Sequence, residues 1–202
     1  MVGLNLEKGM SLDLKKKEDN LNVLGVALGW NTNKDLDAFA FLIDDENRVV
    51  DTIAYFHKNA KGIFLDKDNL TGSDDYNDSE HPEDDETITV NFNNLSKKIQ
   101  KIVFGANIYN AEPSREVVRG VFKKQTVILE GDNFGQINGA FIRCYNKETE
   151  QELCRYNLTE DGHGFNAFQF ATMIRTNEGW KFQADGKGMN GTIEQLKYNI
   201  TY

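Results

Sequence analysis

Cysteine, proline and histidine are all scarce in this chain of 202 residues. Two cysteines, Cys144 and Cys154, are too few for a disulfide framework or a four-ligand zinc site. Three histidines, His57, His81 and His163, stand beside no cysteine, and no G-x-S-x-G is present. Nucleophilic catalysis therefore has no local signature. Two prolines and a charged fraction of 27% argue against a disordered or low-complexity chain. No apolar run approaches the roughly 18 residues of a membrane-spanning helix. Residues 1–11 lack the basic front and apolar core of a secretory signal, so a cytoplasmic, reducing setting is expected. What is present is 39% hydrophobic residues, enough to bury one sizeable core and too little for two. A single domain over 1–202 is the expectation.

Charge is the more informative property. The formal net charge is −9. Residues 66–86 hold ten acidic side chains against the single Lys67, and the rest of the chain carries 22 of each sign. The acidity is thus one local feature. Nucleic acid is not expected as a partner, because phosphates require a basic stripe. A cation is.

Strand-like runs dominate the pattern. Residues 21–30, 37–43, 49–56, 88–92, 101–109, 126–129, 140–145, 152–156, 167–175 and 179–184 read as strands separated by polar turns. Only 192–199 reads as a short helix, and 116–122 fits either type. Many short strands at regular spacing predict an all-β fold, a β-sandwich of two mainly antiparallel sheets with a short C-terminal helix. Cys144 and Cys154 lie equally far from Thr149 and should face each other across a hairpin as a structural thiol pair.

Three constellations are candidates for chemistry. Asp35-Leu36-Asp37 enters a strand, where residues two apart point the same way. Two carboxylates so close repel unless a cation lies between them. A bare Asp-x-Asp is nevertheless more commonly a polar loop end. The acidic segment is the second. Asp68-Asn69 opens a tight turn and Asp84-Asp85-Glu86 precedes an alternating strand. Together they offer the carboxylates, amides and carbonyls that calcium prefers. The spacing is not an EF-hand, since Leu70 and Thr71 fall where an oxygen ligand and Gly are needed, so any site is assembled from several loops. Residues 73–83 alone read as a solvated acidic loop. The third is Gly186-Lys187-Gly188-Met189-Asn190-Gly191. It matches G-x-G-x-x-G, but only 11 residues follow it, too few for a βαβ unit. It reads as a glycine-rich turn.

These pieces together resemble the TerD family of tellurium-resistance and stress proteins. The carrying motifs are DLDAFA at 35–40, KDNLTG at 67–72, DDE at 84–86 and QKIVF at 100–104. NFGQ at 133–136, AFIR at 140–143, ELCRYNLTED at 152–161 and WKF at 180–182 follow in order. The resemblance implies a calcium-binding β-sandwich with one or two ions held by acidic loops at one end. It implies a role in resistance to tellurite, phage or DNA-damaging agents, beside other proteins of a stress complex. The implied ligands are Asp35, Asp37, Asp68, Asn69, Asp84, Asp85 and Glu86. Asn110 stands where the family's I-x-D-A-E run has aspartate, which keeps an oxygen and removes a charge. Lys67 replaces a glycine, the acidic loop 73–83 is long, and 113–132 resembles an insertion that could cover the site or bind a partner.

The first reading is a non-enzymatic calcium-binding module. The alternatives are a calcium-dependent module docking on membrane or protein and, behind it, a metal-dependent hydrolase, which needs an open metal position and a poised base.

Overall fold

The computed structural model describes residues 3–18, 20–31, 34–67, 84–119, 125–158 and 162–200. Two sheets face each other. The first holds, from edge to edge, β1 (Leu4–Leu6), β13 (Gln151–Asn157), β12 (Asn138–Asn146), β3 (Val23–Asn31), β8 (Glu86–Asn91), β7 (Ile63–Lys67) and β6 (Asn59–Ala60). The second holds β2 (Ser11–Asp13), β15 (Gly179–Met189), β14 (Ala167–Thr176), β9 (Lys101–Ile108), β4 (Leu36–Ile43) and β5 (Val49–Ile53). Every described pairing is antiparallel except β1 with β13. The expected β-sandwich is what the chain forms.

Side-chain alternation explains the layering. Along β4, Leu36, Ala38, Ala40 and Leu42 turn inward to the core between the sheets, where they meet Phe104 and Ala106 of β9 and Leu28 and Ile88 of the facing sheet. Phe39, Phe41 and Ile43 turn outward. They are buried there because α2 (Ile193–Leu196) lays Ile193 and Leu196 over them. Both faces of β4 are therefore covered, and all eight of its residues are buried. A side chain such as Phe39 contributes about 2 kcal/mol when removed from water. The helix begins at a capping box, Thr192 with Gln195, and is shorter than the pattern over 192–199 suggests. A short α1 (Leu14–Lys17) follows β2.

Several elements differ from the sequence pattern. The ambiguous stretch around 116–122 is strand over its described part. β10 (Arg115–Arg119) pairs with β11 (Gln125–Leu129) as a separate two-stranded ribbon built from the 113–132 segment. Residues 49–56 end as strand at Ile53, because Ala54 and His57 exchange backbone hydrogen bonds of 3.1 and 2.9 Å in a turn. Gly186 to Gly191 is not a turn. β15 continues to Met189, and Gly188 lies so close to the Phe165 ring that a Cβ would sit 2.3 Å from its edge. The glycines there permit close packing of strand on ring. Cys144 and Cys154 do face each other, in register across β12 and β13, with sulfurs 3.0 Å apart and both buried.

Candidate functional site

The acidic residues converge on one end of the sandwich through β4, β8 and the turn after β9. Asp37 and Asn107 are opposite each other in the β4–β9 ladder, both on the outward face. Both are buried, Asp37 at 6% exposure and Asn107 at 7%. Asn107 donates through Nδ2 to the Ile108 carbonyl at 3.3 Å, while its Oδ1 is buried and accepts no hydrogen bond. Asp35 lies just ahead of β4 and takes the Tyr109 amide on its carbonyl at 2.9 Å. Asn110 follows with φ of 47°. Asparagine tolerates that left-handed conformation better than most residues, so it suits the turn that leaves β9.

On the inner side, Asp85 and Glu86 are 1% and 0% exposed. Burying a carboxylate is costly unless its charge is matched by donors or a cation. Part of the match is visible. Glu86 Oε2 accepts the Ala38 amide of the facing sheet at 2.6 Å. Asp85 Oδ2 accepts the Trp30 amide at 2.9 Å, and the Asp85 amide donates to the Leu28 carbonyl at 3.0 Å. These bonds bring the start of β8 against the end of β3 and the Asp37–Ala38 peptide. Asp84 is oriented otherwise. Arg143 of β12 clamps it with two hydrogen bonds of 2.8 and 2.6 Å, and this holds the Arg143 guanidinium pKa above its usual value. Asp68 and Asn69 lie outside the described residues. Among the described residues no three His, Cys, Asp or Glu side chains stand at metal-binding spacing.

The ribbon is tied to this end. Lys34, next to Asp35, pairs with Asp132 at the ribbon's base. Asp132 also accepts the Glu112 amide at 3.0 Å. Lys34 first and that amide second hold the Asp132 carboxyl below the usual range.

A cavity of 490 Å³ opens on the outer face, bounded by Asp37, Asn107, Asn110, Tyr55, Tyr109 and Glu194. A second of 260 Å³, beside the ribbon base, shares Ala111, Asn166 and Gly191 with it. Sequence reading missed Asn107, Tyr55, Tyr109 and Glu194. A polar residue on the outward side of the apolar KIVFGANI strand was the available signal for Asn107. The two tyrosines and Glu194 carried none, because only the fold brings them to Asp37. No helix among the described residues is long and apolar enough to cross a membrane.

Comparison with known proteins decides the family. The TerD domain matches residues 2–132 and 121–199. The chain belongs to the TerD family. General stress protein 16U of Bacillus subtilis is 32% identical, over 96% of this chain and 94% of its own. Tellurium resistance protein TerD of Serratia marcescens is 30% identical, over 96% of this chain and 95% of its own. A crystal structure of a telluride resistance protein (TerD) homologue from Streptomyces coelicolor A3(2) has the same fold, with a TM-score of 0.62 at 16% identity. It matches 88% of this chain and 96% of its own. The resemblance read from the motifs is thus family membership, and this TerD chain carries the family along nearly its whole length.

Proposed function

We propose that this chain is a calcium-binding, non-enzymatic module of a cytoplasmic stress-response system of the tellurium-resistance kind. The observation that carries the reading is the burial of Asp37, Asp85 and Glu86 at one end of the sandwich, at 6%, 1% and 0% exposure. A carboxylate withdrawn from water is favoured by a cation bound beside it. The donors near them are oxygens, which suits Ca²⁺ and disfavours zinc or copper. Asp35, Asp37, Asp85, Glu86 and Asn110 are the candidate ligands among the described residues, with Asn107 Oδ1 as a neutral addition. Asp68 and Asn69 join them by family resemblance. The Arg143 clamp gives Asp84 a positioning role, fixing the segment that carries Asp85 and Glu86.

The stress role rests on the names of the relatives, a general stress protein and a tellurium resistance protein. The non-enzymatic reading rests on the histidines. His57 faces Asp51 at 3.3 Å and His163 faces Glu130 at 3.2 Å, both on the surface, and His81 lies outside the described residues. Calorimetric titration with Ca²⁺ and with Mg²⁺ tests the proposal. Ligands gathered from separate loops accept the larger, adaptable ion, so Ca²⁺ should bind more tightly. Mg²⁺ binding as tight or tighter contradicts it.

A further inference from the structure

The 490 Å³ cavity is far larger than an ion coordinated at about 2.4 Å requires, and Tyr55 and Tyr109 line it. Tyr55 and Tyr109 stand at 86° with ring centroids 5.5 Å apart, and Phe56 packs edge-on against Tyr55 at 5.0 Å. All three are exposed, at 39%, 42% and 46%. Rings held in such a corner present π faces to whatever enters. Two carboxylates, Asp37 from β4 and Glu194 from α2, line the same cavity, and among the described residues no Lys, Arg or His lines it. Asn107, 7% exposed, contributes an acceptor oxygen that makes no hydrogen bond within the protein. Its carbonyl is buried at the cavity wall, where it favours a donor from a ligand.

This lining discriminates among ligands. An anion meets two carboxylates and no cation. A neutral apolar molecule leaves Asn107 Oδ1 without a donor. A bare or hydrated metal ion makes little use of the rings. An organic cation with N–H groups satisfies all three features: ring faces, carboxylates and carbonyl. We propose that this cavity binds an alkylammonium group, with Tyr55 and Tyr109 as its aromatic wall, Asp37 and Glu194 as counter-charges and Asn107 Oδ1 as acceptor. The group can arrive on a lysine of a partner protein or on a free polyamine, since the two share that chemistry. The raised pKa of the Tyr55 phenol agrees with this setting. Burial contributes most, and the Asp37, Tyr109 and Glu194 charges add to it. The site does not require calcium, which competes with the ammonium for Asp37 and Asn107. Those two residues are common to both proposals, whereas the tyrosines and Glu194 serve this one.

NMR titration of the full chain tests it, with butylammonium chloride as the probe and butanol as its neutral counterpart, in calcium and again in chelator. Butylammonium should shift the Tyr55 and Tyr109 ring resonances saturably in chelator and more weakly in calcium, and butanol should shift them in neither. Tyr109→Leu and Glu194→Gln alter exposed residues, so both variants fold, and each should weaken binding about fivefold, as loss of roughly 1 kcal/mol implies. Equal shifts with butanol, unmoved tyrosine rings, or unchanged affinity in both variants would overturn the proposal. Repeating the titration with spermidine and with N-acetyl-lysine methylamide separates the sources, the tighter binder naming polyamine or protein. Calcium uptake measured on the same sample keeps failure of the ion proposal distinct from failure of this one.

Discussion

Asp84 and Asp85 are neighbours in sequence with opposite fates. Asp84 meets a guanidinium in a bidentate clamp, and Asp85 is sealed against the Trp30 amide. The clamp is partly buried, with 20% and 17% side-chain exposure, so removing one partner withdraws the bidentate counter-charge of the other. Arg143→Met should destabilise by about 2–3 kcal/mol, and Asp84→Asn by less, because an amide still accepts. Urea unfolding of both variants checks this. Equal losses would mean that the charge of Asp84, which an amide cannot replace, carries the whole clamp. At Asp37, substitution by asparagine keeps size and removes charge. It relieves repulsion among carboxylates while weakening an ion, so the chelated protein should melt no lower and the calcium-induced rise should shrink. A calcium-induced rise of unchanged size would remove Asp37 from the ligand set. None of this contrast was legible in the run DDE, since alternation alone cannot say which neighbouring carboxylate finds Arg143.

At the scale of elements, the strands from β3 to β5 and from β12 to β15 were legible, because apolar runs bounded by polar turns carry their own period. The N-terminal β1 and β2 and the short β6 and β7 were not. They hold two to five residues each, and their pairing with β13, β15 and β8 supplies what their own pattern lacks. The covering of β4 on both faces is likewise a tertiary fact, set by α2. That packing is testable. Leu196→Ala should cost about 2–5 kcal/mol, the range for emptying a buried leucine site, and calorimetry of thermal unfolding reads it. Loss below 1 kcal/mol would mean that the helix hardly adheres to β4. The ribbon base offers a pH test. The Asp132 pKa is lowered in the folded protein by Lys34 and the Glu112 amide. A depressed carboxyl pKa gives stability that is present above the unfolded value, near 4. It is lost as pH falls through the folded value. The protection of the Glu112 amide, its exchange relative to the unstructured rate at the same pH, should therefore fall below about pH 4, and Asp132→Asn should make that protection low and independent of pH.

For the whole molecule, the net charge of −9 is concentrated in one tenth of the chain, and the fold carries the carboxylates that flank that segment to one end. On the proposed reading, self-repulsion among these carboxylates opposes the folded state until a cation binds. An ion that binds only the folded form adds RT ln(1 + [L]/Kd), about 2.7 kcal/mol at a hundredfold excess over Kd. On that reading, ion binding and fold stability are one quantity seen from two sides. Mass spectrometry under native conditions, with and without chelator, measures it most directly. One or two calcium masses on the folded chain, lost on chelation and reduced in Asp37→Asn, are the expected result. A chain that keeps the same mass in calcium and in chelator would contradict the calcium-binding function.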